Sequence, residues 1–237
     1  MKAMILAAGL GTRMRPLTDH TPKPLLKAGG KALIVWHLEK LAAAGFKEVI
    51  INIAWLGWQI PETLGDGSQW GLKLHYSDEQ AESALETAGG IVKALPLLGS
   101  EPFLVVNGDI WCDYPCLVKA PTSPYLAHLV LVNNPEHHPH GDFALLGNGQ
   151  AQSEGAAKLT FSGIGYYHPA LFAQLEYGKR ALGPVLRAAM AEGLISAEHY
   201  QGTWLDIGTP ERLAQLDAHL NAAVPARPST LAPHPTA

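Results

Sequence analysis

The sequence predicts an α/β fold: a Rossmann-like, mostly parallel mixed sheet flanked by helices. Three observations lead there. Short apolar runs of strand length alternate with stretches of helical period. The first run, Ala3 to Ala8, stops abruptly at Gly9-Leu10-Gly11-Thr12-Arg13. A later one, Phe103 to Asn107, stops at Gly108-Asp109. Parallel strands joined by right-handed crossovers bring ligand sites to their carboxyl ends, so both stops fall on the rim where a ligand is expected.

In chain order, the helical period of Leu33, Ile34, Leu38 and Leu41 predicts a helix over Lys31 to Ala44, closed by Gly45. Glu48 to Ile53 reads as the second strand. Trp55, Leu56, Ile60 and Leu64 suggest a helix that Pro61 interrupts, and Leu72 to Tyr76 a third strand. The polar segment Ser77 to Leu85 reads as a loop before a helix from Glu86 to about Leu95. Further strands are expected at Ala127 to Val132, Phe143 to Leu146, Leu159 to Tyr167 and Thr203 to Ile207. Helices follow at Pro169 to Leu175, at Gly183 to Ala191, and from Thr209, with Thr209 as N-cap and Pro210 at its first position. One domain is expected over 1–222. The Pro-, Ala- and Thr-rich residues 223–237 read as a loose tail.

Of the 237 residues, 47% are hydrophobic and 16% charged, which suits a sizeable core and argues against disorder. A net charge of −4 excludes a generally basic nucleic-acid surface. No apolar run approaches the roughly 20 residues of a membrane span, and the opening segment lacks a signal-peptide pattern. A cytoplasmic protein without membrane or nucleic-acid partners is expected, as a monomer or small homo-oligomer. Cys112 and Cys116, the two cysteines, read as reduced thiols.

The opening loop suits an anion. Its glycines let backbone N–H groups approach a ligand, and successive N–H groups form a concave cradle. Arg13 and Lys23 supply a forked and a compact cation. A dinucleotide fingerprint is excluded because Met14 occupies the third glycine position, and no Walker A Gly-Lys-Ser/Thr occurs. Two carboxylates stand out. Asp109 follows a core strand and is either a site residue or a turn aspartate. Asp206 lies between apolar neighbours and needs a partner, either a metal or a salt bridge with Arg212 or Lys23. His137, His138 and His140 lie in a Pro/Gly-rich loop and read as solvated rather than as a metal cluster. Lys179-Arg180 is a solvated turn or a pair reaching an anion.

The longer string, Leu6-Ala7-Ala8-Gly9-x-Gly11-Thr12-Arg13-Met14-x-Pro16-Leu17-Thr18 with Lys23-Pro24-Leu25-Leu26 behind it, resembles the signature of the sugar-1-phosphate nucleotidyltransferases. The likeness extends from Met1 to about Leu216, and it implies a GT-A-like version of the fold. By this resemblance Leu6, Ala8, Gly9, Gly11, Thr12, Arg13, Lys23 and Glu79 bind the nucleotide. Glu86, Thr87, Gly90, Asn107, Ser162 and Gly163 bind the sugar phosphate, and Asp109 and Asp206 hold Mg²⁺, with Mn²⁺ as a substitute. Arg13, Lys23, Asp109 and Asp206 are the implied catalytic group. Within the family, Asn134-Pro135-Glu136-His137-His138, Gly141-Asp142-Phe143 and Leu85-Glu86-Thr87-Ala88-Gly89-Gly90 resemble members that join UTP to N-acetyl-α-muramate 1-phosphate in bacterial cell-wall recycling. Guanylyl transfer to mannose 1-phosphate and thymidylyl transfer to glucose 1-phosphate are the enzymatic alternatives. A non-catalytic nucleotide-sensing subunit is the alternative of another class. The sequence departs from the family pattern at Lys27 and Ala32, where proline is usual. Whether Glu79, Gln80 or Glu82 faces the ligand stays open.

Overall fold

The computed structural model describes residues 1–79 and 85–222. A seven-stranded sheet forms its centre, with strands, in chain order, β1 (Lys2–Leu6), β2 (Glu48–Ile53), β3 (Lys73–Asp78), β4 (Phe103–Asn107), β5 (Ala127–Val132), β6 (Thr160–Tyr167) and β7 (Ile195–His199). Across the sheet they lie in the order β7-β5-β6-β4-β1-β2-β3. β1 runs parallel to both β2 and β4, β3 parallel to β2, and β7 parallel to β5. Both antiparallel pairings belong to β6. The sheet is therefore mixed and mostly parallel, as expected.

Among the described residues, five α-helices flank it: α1 (Leu33–Ala43), α2 (Gln59–Leu64), α3 (Glu86–Leu98), α4 (Leu182–Ala191) and α5 (Pro210–Ala222). Side chains alternate across the pleat. Ala3, Ile5, Val49, Ile51, Leu104 and Val106 enter one core with Ile34, Leu38 and Leu41 of α1. Met4, Ile50, Phe103 and Val105 enter the other with Ile91 of α3 and Leu186 of α4. Helices cover both faces, which is why the inner strands read as continuous apolar runs. A third cluster, including Met14, Leu33, Leu213 and Leu216, ties α5 to the beginning of the chain.

Local chemistry explains most differences from the sequence reading. α1 starts two residues late because Lys31–Ala32 pairs back onto Lys27–Ala28, across a turn whose Gly29 and Gly30 have φ of 59° and 81°. Two central residues at positive φ make a tight hairpin turn, and glycine supplies both. Pro61 does not interrupt α2. It lies in the first turn, where an N–H would have no intrahelical partner. α3 continues through Pro96 to Leu98. Only a 3₁₀ turn, Pro169–Phe172, forms where a longer helix was expected. Thr209 does cap α5, its Oγ1 accepting from the Arg212 N–H at 3.4 Å. β7, Ile-Ser-Ala-Glu-His, was not anticipated, since only its pairing with β5 makes a strand of it. The predicted tail, Gln80 and Glu82 lie outside the described residues. No helix among the described residues is long and apolar enough to cross a membrane.

Cys112 and Cys116 are free and buried. Burial pushes their thiols up to about 11 and about 12, so they stay protonated and unreactive at neutral pH. His37 on α1 is also buried, and its Nε2 has no hydrogen-bond partner. Burial, helped by the charge of Lys40, lowers its pKa to about 4, against the pull of the Ile110 backbone and Asp109. The folded value lies below the unfolded one, so this contribution to stability is complete above about pH 6.5 and is lost as pH falls towards 4. Between pH 7 and pH 5, His37 should cost about 2 kcal/mol of unfolding free energy. In chemical denaturation, the His37→Leu variant should lose that share of the pH dependence.

Candidate active site

The site is built on one row of the sheet. Leu6 at the end of β1 is in register with Asn52 of β2 on one side and Asn107 of β4 on the other. The loop after β1 is fixed at once, because the Ala7 N–H donates to Asn52 Oδ1 at 2.8 Å. Asn52 Nδ2 donates to Glu79 Oε1 at 2.8 Å, and Glu79 Oε2 accepts from the Leu85 N–H at 2.9 Å. A buried amide and a buried carboxylate thus join the first loop, the end of β3 and the start of α3. Gly90 makes room for them, since a Cβ there would lie 2.6 Å from Glu79 Oε1 and 3.0 Å from Asn52 Nδ2.

Gly11 has φ of 63°, and its carbonyl accepts from the Thr18 hydroxyl at 2.7 Å. A Cβ at Gly11 would lie 2.9 Å from Thr18 Cγ2, so the tight turn and the close approach both require glycine. At Gly9 the surrounding space is open. Thr12 and Arg13 are exposed in the following 3₁₀ turn. Lys23 is buried, with its Nζ 2.9 Å from Asp109 Oδ2. Lys23 and Asp109 line a cleft of about 370 Å³ together with Leu6, Ala8, Gly9 and Glu79. A second cleft, about 440 Å³, shares Glu86, Thr87 and Asn107 with the first. Glu86 sits at that junction with φ of 60°, a conformation that is strained for a residue with a side chain.

The two aspartates stand on adjacent segments. Trp204–Asp206 pairs antiparallel with Ile110–Cys112, Asp206 stands opposite Ile110, and the Ile207 N–H donates to the Asp109 carbonyl at 2.8 Å. Of the readings left open for Asp206, the ion pair with Arg212 is present, Nη1 lying 2.6 Å from both carboxylate oxygens. His137 Nε2 adds a contact at 3.1 Å. His138 lies 3.1 Å from Asp142, so neither histidine simply faces solvent. Gly208 lies between Asp206 and the opening loop: a Cβ there would be 3.1 Å from Asp206 Oδ2 and 3.5 Å from Arg13 Nη1. Arg13, Lys23, Asp109 and Asp206 are thereby gathered at one end of the sheet.

Three expected sugar contacts, Gly90, Ser162 and Gly163, line neither cleft. Ser162 is fully buried. Its hydroxyl donates to the Val130 carbonyl at 2.7 Å and accepts from the Ile164 N–H at 3.1 Å, bridging the register shift in β6. Gly163, with φ of 82°, lets Asn107 pack behind the cleft, since a Cβ would come 2.7 Å from Asn107 Cγ. The expected basic pair separates. Lys179 lines the first cleft, 3.6 Å from Glu86, whereas Arg180 turns to the Glu176 carbonyl at 2.9 Å. Sequence reasoning missed Asn52, whose signal was one amide among the apolar residues of β2. It also missed Arg187 on the wall of the second cleft, and noted Phe143 there only within the Gly141-Asp142-Phe143 motif.

Comparison with known proteins agrees with this architecture. The family model described as nucleotidyl transferase matches residues 2–145, and the chain belongs to that family. Among individual relatives, the N-acetylmuramate alpha-1-phosphate uridylyltransferase of Neisseria meningitidis serogroup B is 54% identical over 226 residues, 92% of this chain and 97% of that protein. The Caulobacter vibrioides protein of the same name is 33% identical over 245 residues, 93% of this chain and 97% of its own. A putative glucose-1-phosphate thymidylyltransferase from Bacillus anthracis has the same fold, with a TM-score of 0.80 at 21% identity over 93% of this chain and 95% of that one.

Asn52→Ala would leave the Ala7 N–H unpaired and the buried Glu79 carboxylate short of a donor. Unpaired buried groups of this kind cost about 3 kcal/mol together. The variant should therefore show a lowered midpoint in thermal or denaturant unfolding, with the sheet still formed by far-UV circular dichroism.

Proposed function

We propose that the protein transfers a uridylyl group from UTP to N-acetyl-α-muramate 1-phosphate, giving UDP-N-acetylmuramate and pyrophosphate, as a cytoplasmic step in bacterial cell-wall recycling. The carrying observation is the pair of clefts that meet at Glu86, Thr87 and Asn107, one bounded by the glycine loop, Lys23 and Asp109. Two anionic substrates bound side by side need that arrangement. The identity to the Neisseria meningitidis relative supports the choice of base and sugar.

The acceptor's phosphate monoester is largely ionised near neutrality, its second pKa being about 6. One of its oxygens attacks the α-phosphorus of UTP, the new O–P bond forms, and the bond to the β-phosphate oxygen breaks. No protein nucleophile or base is required. Leu6, Ala8 and Gly9 border the nucleoside, and the loop N–H groups with Gly11, Thr12 and Arg13 hold the departing pyrophosphate. Lys23, buried and oriented by Asp109, faces the charge that develops around the α-phosphorus.

A divalent cation fits the remaining residues. Asp109 immediately precedes, and Asp206 ends, two paired strands. Because no group of three or more His, Cys, Asp or Glu side chains that could hold a metal is present among the described residues, the rest of the coordination shell would have to come from substrate and water. Two carboxylates completed by phosphate oxygens and water are what Mg²⁺ takes, and Mn²⁺ accepts the same donors. Bound there, it would neutralise α-phosphate oxygens and orient the acceptor phosphate. It would have to share or displace the contacts that Lys23 and Arg212 now make to these carboxylates.

Pyrophosphate release measured across a panel of nucleoside triphosphates and sugar 1-phosphates tests the reaction. UTP with N-acetylmuramate 1-phosphate should give the highest kcat/KM, and a higher value for GTP with mannose 1-phosphate would replace the reading. Asp109→Asn and Asp206→Asn should each lower kcat by about a hundredfold or more, with Mn²⁺ binding weakened in electron paramagnetic resonance titrations and the melting curve little changed. Lys23→Ala should lower kcat by about a hundredfold with a smaller change in KM for UTP. A pure KM effect would contradict its role.

A further inference from the structure

The second cleft holds chemistry that a phosphate and a neutral sugar do not use. Phe143 and Phe161 stand on its wall with ring centroids 6.5 Å apart, and Arg187 of α4 lies over the Phe143 ring, its guanidinium carbon 5.9 Å from the centroid. The guanidinium folds back over the first turn of α4, where a Cβ on Gly183 would lie only 3.0 Å from Nη1. Glycine at that position leaves room for the side chain to lie along the cleft.

The acids around this cleft are already engaged. Asp142 accepts from the Phe161 N–H at 2.8 Å and contacts His138 at 3.1 Å, and Glu86 faces Lys179 at 3.6 Å. Arg187 makes no ion pair with any carboxylate among the described residues. An unneutralised guanidinium beside two phenyl rings matches a small group that is part carboxylate and part hydrocarbon.

The proposed acceptor carries such a group. Muramate is glucosamine with a lactyl ether on its 3-oxygen, which adds one carboxylate and one methyl. With its 1-phosphate directed at Lys23 in the first cleft, the sugar would reach into the adjoining second cleft with its 3-substituent. We infer that Arg187 is the specificity-determining residue for the acceptor, pairing with the lactyl carboxylate while Phe143 and Phe161 receive the lactyl methyl. This rests on the proposed reaction and adds the feature by which the site would tell a muramate from a glucosamine. Removing a site's partner for a substrate charge erodes discrimination between analogues that differ by that charge.

The test compares N-acetylmuramate 1-phosphate with N-acetylglucosamine 1-phosphate, which differ by the lactyl group alone, in the wild type, Arg187→Gln and Arg187→Lys. Arg187 is exposed on its helix, and Gln and Lys are both good helix formers. In Arg187→Gln the ratio of kcat/KM for the two sugars should fall at least tenfold, mostly through a higher KM for the muramate, and Arg187→Lys should keep more of it. An unchanged ratio in Arg187→Gln overturns the inference and leaves the proposed reaction standing. An equal loss on both sugars, with Arg187→Lys active, also overturns it, because Arg187 would then serve the shared phosphate. A wild-type enzyme with no preference for the muramate would take the proposed acceptor down as well.

Discussion

The register of three parallel strands is the constraint from which the rest of this molecule follows. Leu6 is locked between Asn52 and Asn107, so the loop after β1, the amide at the end of β2 and the turn after β4 must emerge together. Backbone pairing settles this before any side chain is considered, and the Gly108 N–H donating to the Leu6 carbonyl at 2.8 Å extends the row into the turn that carries Asp109. A slip of one residue would turn Asn52 to the opposite face and leave the Ala7 N–H without its acceptor.

On that row the protein builds a rigid floor and leaves the charged groups above it with partners that can be exchanged. The floor is Asn52 and Glu79, both buried, hydrogen-bonded to each other, and each accepting one backbone N–H from another segment. Above it, Lys23 pairs with Asp109 and Arg212 with Asp206. Those pairs neutralise the carboxylates in the free protein, and Asp109, half-exposed while its partner Lys23 is buried, keeps one side open to a ligand. The strained backbone at Glu86, where the two clefts join, fits the same division of labour.

Family membership and fold fix the class of chemistry, and the second cleft narrows it. Its aromatic wall and unpaired guanidinium come from Phe143, Phe161 and Arg187, on three separated segments of the chain. Asp142, beside them, is held by the Phe161 N–H and faces His138 on its other oxygen. Phe143 falls in a short motif of the sequence, but Arg187 does not.

The sequence alone determined the elements that announce themselves locally: the buried strands, the glycine turn after β1, the capped start of α5, and the lysine and two aspartates that the string of motifs singled out. The strands, the turn and the cap follow from period, glycine chemistry and hydrogen bonding, which act within a few residues, and the lysine and aspartates from the resemblance to the family signature. Only the tertiary structure decided what lies between distant segments. It made a strand of Ile195–His199, paired Asp206 with Arg212, and set His137 against that same aspartate. It turned Ser162 inward to repair a register shift and brought Asn52, Glu79 and Arg187 to the site. Each of those outcomes depends on what the opposite strand or helix presents, and a linear pattern does not encode the neighbour.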